Sequence, residues 1–334
     1  MNAILSGRPT EALVGRADEG AALAGELGDA RLVTVRGAAG IGKSALAAAA
    51  AAGADRPVRR VDLAGLREPA LVPHALARAL RVADEPDRDM LDAVARAVGR
   101  RAVLLLVDTC EHLVDAVAAC AQRLLADCPR LCLLTTSRAA LGVGGERVIP
   151  LEPLTEAGSQ ALLVARAPFM SGASGRTRRL LGERLGGLPL AVELAARQLR
   201  RHTTGEVLGA LAAPGGLLGL ADETTRRRPV RHRSMRAAVG WSHALCDPQE
   251  RLLWARLAVF PGPFTARRAA EVCADRLLPE RDVPVALGGL VRASVVRRAP
   301  DAFELGPAEA QFGLESLRSV PGQETVMRRR ERNH

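Results

Sequence analysis

Several residue types and patterns are scarce in this sequence of 334 residues. It has no tyrosine, aromatic residues make up 2% of it, and Lys43 is the only lysine among 47 basic residues. No apolar run reaches the about 18 residues that a membrane helix needs. Residues 1–10 also lack the long apolar segment of a secretion signal. We therefore expect a cytoplasmic protein without a membrane partner.

Paired metal-binding cysteines are also missing. The six cysteines form no C-x-x-C pair and have no metal-like spacing to the six histidines. We expect them to be reduced thiols.

Positive charge is abundant, because the formal net charge is +10. Such a balance makes nucleic acid a possible partner. The charge is nevertheless spread along the chain, with local basic runs at residues 176–179, 226–236 and 328–332. Solvated faces with intramolecular contacts are one interpretation of these runs, and a DNA or RNA contact is the other.

A phosphate-binding motif surrounds the only lysine. Gly37, Gly42, Lys43 and Ser44 fit G-x-x-x-x-G-K-[ST], and Gly40 adds a further glycine. In this motif the glycines let backbone N–H groups turn toward phosphates, the lysine reaches the terminal phosphates, and the hydroxyl ligates Mg²⁺. Arginine, a planar fork, cannot replace a compact ammonium in such a narrow cradle. This requirement explains why one lysine is retained.

The residues around the motif predict the structure that it needs. Residues 31–35 are typical of a short strand, and the alanine-rich residues 44–52 strongly favour a helix. The N-terminus of that helix would face the phosphates. A nucleotide site is the prediction, and a fortuitous glycine-rich turn is the alternative.

A second acidic site follows a buried strand. Residues 102–107 are continuously apolar, as in a central parallel strand, and Asp108 stands at its carboxyl end. Ligands bind at this edge of open α/β sheets. We predict that Asp108 holds Mg²⁺ directly or through water, together with Ser44. The alternative is an aspartate that caps the following helix, residues 112–128.

Two more side chains are candidates for catalysis. Glu111 is the nearest group that could polarise an attacking water. Because Thr109 rather than an acid follows Asp108, we expect slow hydrolysis. Arg138 ends the next apolar strand, residues 131–138, where it could contact a γ-phosphate. A surface arginine is the alternative.

Several motifs in order resemble one family. They are residues 13–23, the phosphate loop, and residues 104–113, 133–154, 187–196 and 231–265. Together they resemble the STAND class, the signal-transduction ATPases with numerous domains, whose module is similar to the NB-ARC ATPase. The resemblance is strongest to the ATPase core of bacterial transcriptional regulators of the LuxR-like and SARP kinds. It covers residues 11–298.

The resemblance implies roles for individual residues. Val14, Gly15 and Arg16 match the segment near adenine and ribose, and Pro189 matches the lid proline that packs on the base, although a purely structural proline at a helix start fits equally well. Asp108 matches the Walker B acid and Arg138 the sensor arginine. The phosphate-loop residues that would bind ATP or ADP are Gly37, Gly40, Gly42, Lys43, Ser44 and Ala45.

The resemblance also implies the architecture, an α/β P-loop NTPase domain with a parallel sheet, then a helical lid and a winged-helix domain. Residues 300–334 are polar and interrupted by glycine and proline, and they depart from the family pattern. The chain looks like a regulator cut short, with a disordered basic tail. The expected boundaries are 1–10 for an N-terminal tail, 11–152, 153–225 and 226–299 for the three domains, and 300–334 for the tail.

Three functions are weighed. The favoured one is a slow ATP-dependent conformational switch, in which ADP keeps the lid and winged helix closed and ATP opens them for self-assembly. The switch would act with an effector or DNA-binding partner in transcriptional regulation. The second is a nucleic-acid-binding protein that grips DNA through its winged helix and residues 226–236. The third, a mechanical ATPase, is disfavoured by the missing acid after Asp108.

Overall fold

The computed structural model describes residues 13–83, 89–222, 230–319 and 322–333. The chain forms two compact units. The first comprises the residues up to Gly37 together with residues 42–152, and the second comprises residues 38–41 and those from Pro153 onward. The expected tail at residues 1–10 and the basic residues 226–229 lie outside the described ranges.

The first unit alternates strands and helices. Its described strands are β1 (Leu32–Arg36), β2 (Val58–Asp62), β3 (Val103–Asp108), β4 (Leu131–Ser137) and β5 (Glu146–Pro150). Its described helices are α1 (Ala17–Asp29), α2 (Lys43–Ala52), α3 (Val72–Leu80), α4 (Met90–Val98) and α5 (Val114–Asp127).

These strands form one parallel sheet in the order β2-β3-β4-β1-β5. Strands β3 and β4 are buried along their whole length, whereas the edge strands β2 and β5 are partly exposed. A continuous apolar run suits a strand that is covered on both faces. The predicted α/β fold with a parallel sheet is confirmed.

Side chains of β3 alternate between the two faces of the sheet. Val103, Leu105 and Val107 lie in the same apolar cluster as residues of α3, α4 and α5. The hydroxyls of Thr34 and Thr135 pair across β1 and β4 at 2.6 Å. The order of the strands places β3 and β4 next to each other, so that their carboxyl ends meet at one edge.

The second unit is mainly helical. Its described helices are α6 (Glu156–Arg166), α7 (Gly175–Arg184), α8 (Pro189–Gln198), α9 (Thr204–Ala212), α10 (Met235–Leu245), α11 (Pro248–Leu257), α12 (Ala266–Cys273), α13 (Val283–Arg292), α14 (Pro307–Arg318) and α15 (Gln323–Asn333). Strands β6 (Val296–Arg298) and β7 (Phe303–Leu305) form an antiparallel hairpin. In the described part of the chain, no helix is long and apolar enough to cross a bilayer.

The expectation of a disordered segment after residue 299 is wrong, because β7, α14 and α15 lie there. Helix α14 packs against α11. The indole N–H of Trp254 donates to the carbonyl of Glu309 at 2.8 Å. A Cβ on Gly313 would lie 3.0 Å from the carbonyl oxygen of Trp254. Gly313 does not interrupt a helix. It lies in α14 at the point of close contact with α11.

The two tryptophans of the second unit differ in burial. Trp254 is fully buried, with 0% of its surface exposed, and Trp241 is half-buried. Trp254 therefore belongs to the core of this unit.

Candidate functional site

The phosphate-loop motif joins β1 to α2. Gly40 and Gly42 have φ angles of +70° and +97°, which favour glycine strongly. The ammonium of Lys43 donates to the carbonyl of Gly37 at 2.7 Å. Helix α2 begins at Lys43, directly after Gly42, and Ser44 and Ala45 belong to its first turn. The loop therefore presents Lys43, Ser44 and a helix N-terminus together.

Gly40 is required for a second reason. Residues 38–41 belong to the second unit, where the N–H of Leu190 donates to the Gly40 carbonyl at 3.1 Å. A Cβ on Gly40 would lie 2.9 Å from the Cβ of Leu190. Pro189 occupies the first position of α8, as expected for a proline at a helix start.

Asp108 lies at the end of β3 with 2% of its surface exposed. Its Oδ1 accepts hydrogen bonds from the hydroxyls of Ser44 at 2.6 Å and Thr136 at 2.5 Å. Its Oδ2 accepts one from Nη2 of Arg60 at 2.8 Å. The structure thus brings together Ser44 and Asp108, the two residues predicted to bind metal.

The hydrogen bonds of Asp108 control its ionisation. Burial raises the pKa of this carboxyl, but the hydroxyls of Ser44 and Thr136 and the charge of Arg60 lower it, and the net pKa lies below its ordinary value. Asp108 is therefore an anion at neutral pH. It does not cap α5, because that helix begins after Leu113 without any side-chain cap.

The backbone after Asp108 is held in an unusual turn. Thr109 has a φ of +67°, which is costly for a β-branched residue. Its N–H donates to the hydroxyl of Thr136 at 2.9 Å, and the N–H of Cys110 donates to the carbonyl of Thr136 at 2.9 Å. Thr136 thus positions both the carboxylate and the turn that follows it.

Replacing Thr136 by valine is expected to destabilise the first unit by about 1–3 kcal/mol, because the buried Thr109 N–H loses its acceptor. The pKa of Asp108 should rise, since one donor to the carboxylate is lost. Hydrogen exchange of the β3 and β4 amides would measure the stability.

Thr135→Val is the matched control. It removes the neighbouring hydroxyl, which pairs with Thr34 rather than with Asp108. We expect a smaller loss and no change in the pKa of Asp108. Equal effects of the two substitutions on that pKa would contradict the role of Thr136.

The predicted catalytic pair, Glu111 and Arg138, lies together. Their side chains are 7% and 6% exposed, and Arg138 Nε is 3.4 Å from Glu111 Oε1. Arg138 is therefore not a surface arginine. Each charge compensates the other in a buried setting, and compensation of this kind is what buried ions require.

The segment that the resemblance places near adenine is firmly anchored. Val14 and Gly15 form a turn in which Gly15 has a φ of +75°. Arg16 is 4% exposed, and its guanidinium donates to Glu19 Oε1 at 2.5 Å and to the Glu152 carbonyl at 2.6 Å. Arg16 therefore anchors this turn to Glu152, which follows β5.

The donor set suits a metal that needs few protein ligands. Across the described residues, no group of three or more His, Cys, Asp or Glu side chains could hold a metal ion. Mg²⁺ commonly binds one or two protein oxygens and completes its shell with water and phosphate. Ser44 and Asp108 fit that pattern. The six cysteines are buried, and none of them forms a disulfide.

Sequence reasoning missed two residues of this site. Arg60 lies on β2 and Thr136 lies on β4, on either side of β3. Thr136 lies within residues 133–154, which carry the family resemblance, but no pattern in the sequence relates it to Asp108, and no motif surrounds Arg60. Only the pairing of the strands brings both side chains to Asp108.

Comparison with known proteins agrees with this geometry. Residues 26–142 match the family model of an AAA domain. They form a P-loop ATPase domain of the AAA type. Below, these residues are called the AAA domain.

Relatives in mycobacteria extend over more of the chain. A Mycobacterium tuberculosis protein named as a proposed HTH-type transcriptional regulator is 34% identical over 280 residues, which cover 80% of this chain and 31% of that protein. An uncharacterized protein of the same organism is 36% identical over 263 residues, covering 75% of this chain and 65% of that one. The chain thus spans under a third of the length of the first relative.

Solved structures share the fold. A Walker-type ATPase of Pyrococcus abyssi has a TM-score of 0.58 at 13% identity, covering 90% of this chain and 95% of its own. The Aeropyrum pernix ORC2 protein has a TM-score of 0.54 at 15% identity, with 99% and 97% covered. At such identities the likeness is one of fold alone.

Proposed function

We propose that this chain binds ATP and ADP with Mg²⁺ through its AAA domain and acts as a slow, nucleotide-dependent conformational switch in transcriptional regulation. The observation that carries the proposal is the 2.6 Å hydrogen bond from Ser44 to Asp108, directly beside Lys43. A lysine and a hydroxyl at the start of α2, with a buried carboxylate at the end of β3 bonded to that hydroxyl, form the arrangement that a phosphate loop with its metal requires.

The residues of the loop fit a nucleotide phosphate chain. The ammonium of Lys43 would leave the Gly37 carbonyl for the terminal phosphates, and the N–H groups at the start of α2 would face the same charge. The hydroxyl of Ser44 donates a hydrogen bond to Asp108. The lone pairs of the Ser44 oxygen therefore remain available to a cation. When bound there, Mg²⁺ would neutralise charge on the phosphate oxygens.

Slow hydrolysis follows from the surroundings of Asp108. The next residue, Thr109, carries no acid, and Glu111 is ion-paired with Arg138. This ion pair engages the carboxylate that would have to accept a proton from water. We propose that Glu111 and Arg138 act as one unit in which Arg138 senses the γ-phosphate and Glu111 positions water.

The second unit supplies the moving parts of the proposed switch. We propose that residues 153–225 are the helical lid, with Pro189 near the base. Helices α10 to α13 followed by the β6–β7 hairpin have the order of a winged helix. We propose this fold for residues 230–305, so that it extends past the expected boundary at residue 299. This arrangement supports membership of the STAND class, similar to NB-ARC and to regulators of the LuxR-like and SARP kinds. Exchange of ADP for ATP would open the switch for self-assembly or for an effector partner.

Direct DNA binding is the alternative. In the described part of the basic run, Arg236 donates two hydrogen bonds to Glu315, and the carbonyl of Arg233 accepts the N–H of Asp222. These contacts favour the intramolecular interpretation of the run. A strongly salt-dependent DNA affinity that Arg231→Ala and Arg233→Ala remove would favour the alternative.

The first test is the nucleotide content of the purified protein. Nucleotide would be released and identified, and ATP and ADP would then be titrated with Mg²⁺ while small-angle scattering follows the shape. We expect bound ADP, turnover below about one per second and a different shape with ATP. Absence of nucleotide binding would overturn the proposal, and identical shapes with ADP and ATP would overturn the switch.

A further inference from the structure

Arg60 is a charged partner of Asp108 that no motif accounts for. It lies on β2, where it is in register with Leu106 of β3, two positions before Asp108. Its side chain reaches forward to the carboxyl edge of the sheet, and Nη2 lies 2.8 Å from Asp108 Oδ2. A guanidinium therefore occupies one oxygen of the carboxylate that is proposed to serve the metal.

The two members of this ion pair differ in burial. The side chain of Arg60 is 41% exposed, whereas that of Asp108 is 3% exposed. A half-exposed arginine holds its partner weakly and can turn into water at little cost. The buried carboxylate, in contrast, is stabilised by every hydrogen bond and positive charge that compensates its burial. Arg60 supplies that charge in the structure described here.

A divalent cation at Ser44 and Asp108 would supply the same compensation. The guanidinium and the cation would then be like charges on one carboxylate, and like charges at such short range repel. Any free energy that Arg60 contributes to the metal-free site must be lost when a cation takes its place. This linkage applies because both partners use the same acid.

We infer that Arg60 is a built-in counter-ion that competes with Mg²⁺ for Asp108 and thereby sets the metal concentration at which the site is loaded. The inference rests on the proposed function, because it assumes a metal–nucleotide complex at the loop. Arg60 is a positioning residue here and not a catalytic one, since it acts through Asp108.

The adjacent residue on the same strand provides a matched control. Arg59 carries the same charge, and its Nη1 donates to the carbonyl of Val58 at 3.0 Å. Consecutive residues of a strand point to opposite faces. Arg59→Gln therefore removes the same charge from the same strand without removing the contact to Asp108.

The test measures metal binding directly, with Mn²⁺ as a spectroscopic substitute for Mg²⁺ in the ADP complex. Free Mn²⁺ would be followed by electron paramagnetic resonance. We expect Arg60→Gln to bind Mn²⁺ about fivefold to tenfold more tightly than the unaltered protein. Arg60→Lys keeps the charge and should remain within about threefold, and Arg59→Gln should not change the affinity.

ADP affinity in EDTA separates the possible failures. If ADP binds to no form of the protein, with or without metal, the proposed function fails and the role of Arg60 fails with it. If ADP binds normally but Arg60→Gln leaves Mn²⁺ affinity equal or weaker, the competition is disproved while the nucleotide site stands. Circular dichroism and the EDTA affinity establish that each variant is folded.

Discussion

Lys43→Ala is expected to weaken ATP and ADP binding by about 100-fold or more, because a charge-assisted contact to the phosphates is lost. Lys43→Arg should be nearly as damaging, since the planar fork does not fit a cradle built for an ammonium. The free energy of unfolding should change by less than about 1 kcal/mol, as for most substitutions away from the core. Isothermal titration calorimetry with ADP and Mg²⁺ measures the affinity.

The control for Lys43 removes a positive charge elsewhere in the AAA domain. Arg123 on α5 is 53% exposed and pairs with Asp92 and Asp127. Arg123→Ala should leave nucleotide affinity unchanged. An equal loss in the two alanine variants would show a general charge effect, and unchanged binding by Lys43→Ala would remove the phosphate loop from the proposal.

Trp254→Ala is expected to destabilise the second unit by about 3–5 kcal/mol, because a large side chain is removed from a packed core. Trp254 is fully buried. Its ring lies 5.5 Å from that of His243 and 5.7 Å from that of Phe312, between centroids. Its indole hydrogen bond to Glu309 joins α11 to α14. Denaturant unfolding followed by circular dichroism measures the loss.

A substitution at Gly313 tests the same contact without removing the tryptophan, and one at Gly209 is its control. A Cβ on Gly313 would lie 2.8 Å from Ala258 Cβ, whereas a Cβ on Gly209 in α9 meets nothing within 4 Å. Gly209→Ala should stabilise by up to about 1 kcal/mol through helix propensity, and Gly313→Ala should destabilise by about 1–3 kcal/mol through overpacking. Both tryptophans belong to the second unit, so their fluorescence reports its unfolding. Similar effects of the two substitutions would contradict the close packing of α11 and α14.

Local sequence was enough to predict the phosphate loop. The glycines, Lys43 and Ser44 are consecutive or nearly so, and each is required by backbone geometry or phosphate chemistry within one loop. The parallel sheet was also predictable in kind, because the short apolar runs that form β3 and β4 are typical of strands that are covered on both faces. The position of Asp108 at a strand end followed from the same pattern.

Partners from other strands were not predictable. Arg60 and Thr136 lie 48 and 28 residues from Asp108 along the chain. The order in which strands pair decides which side chains meet, and it depends on the packing of the whole sheet rather than on any single segment. The pairing of Glu111 with Arg138 depends on the sheet for the same reason.

Local sequence patterns are sufficient to locate the phosphate loop and its lysine, and to predict a parallel sheet with Asp108 at a strand end. Three further features appear only in the folded chain. Arg60 and Thr136 hold that carboxylate, Glu111 is paired with Arg138, and residues 307–318 form a helix against Trp254. These two groups of features differ in how far apart along the sequence the interacting residues lie. Motif chemistry and strand burial act between near neighbours in sequence, whereas ion pairs and close helix contacts depend on which distant segments pack together.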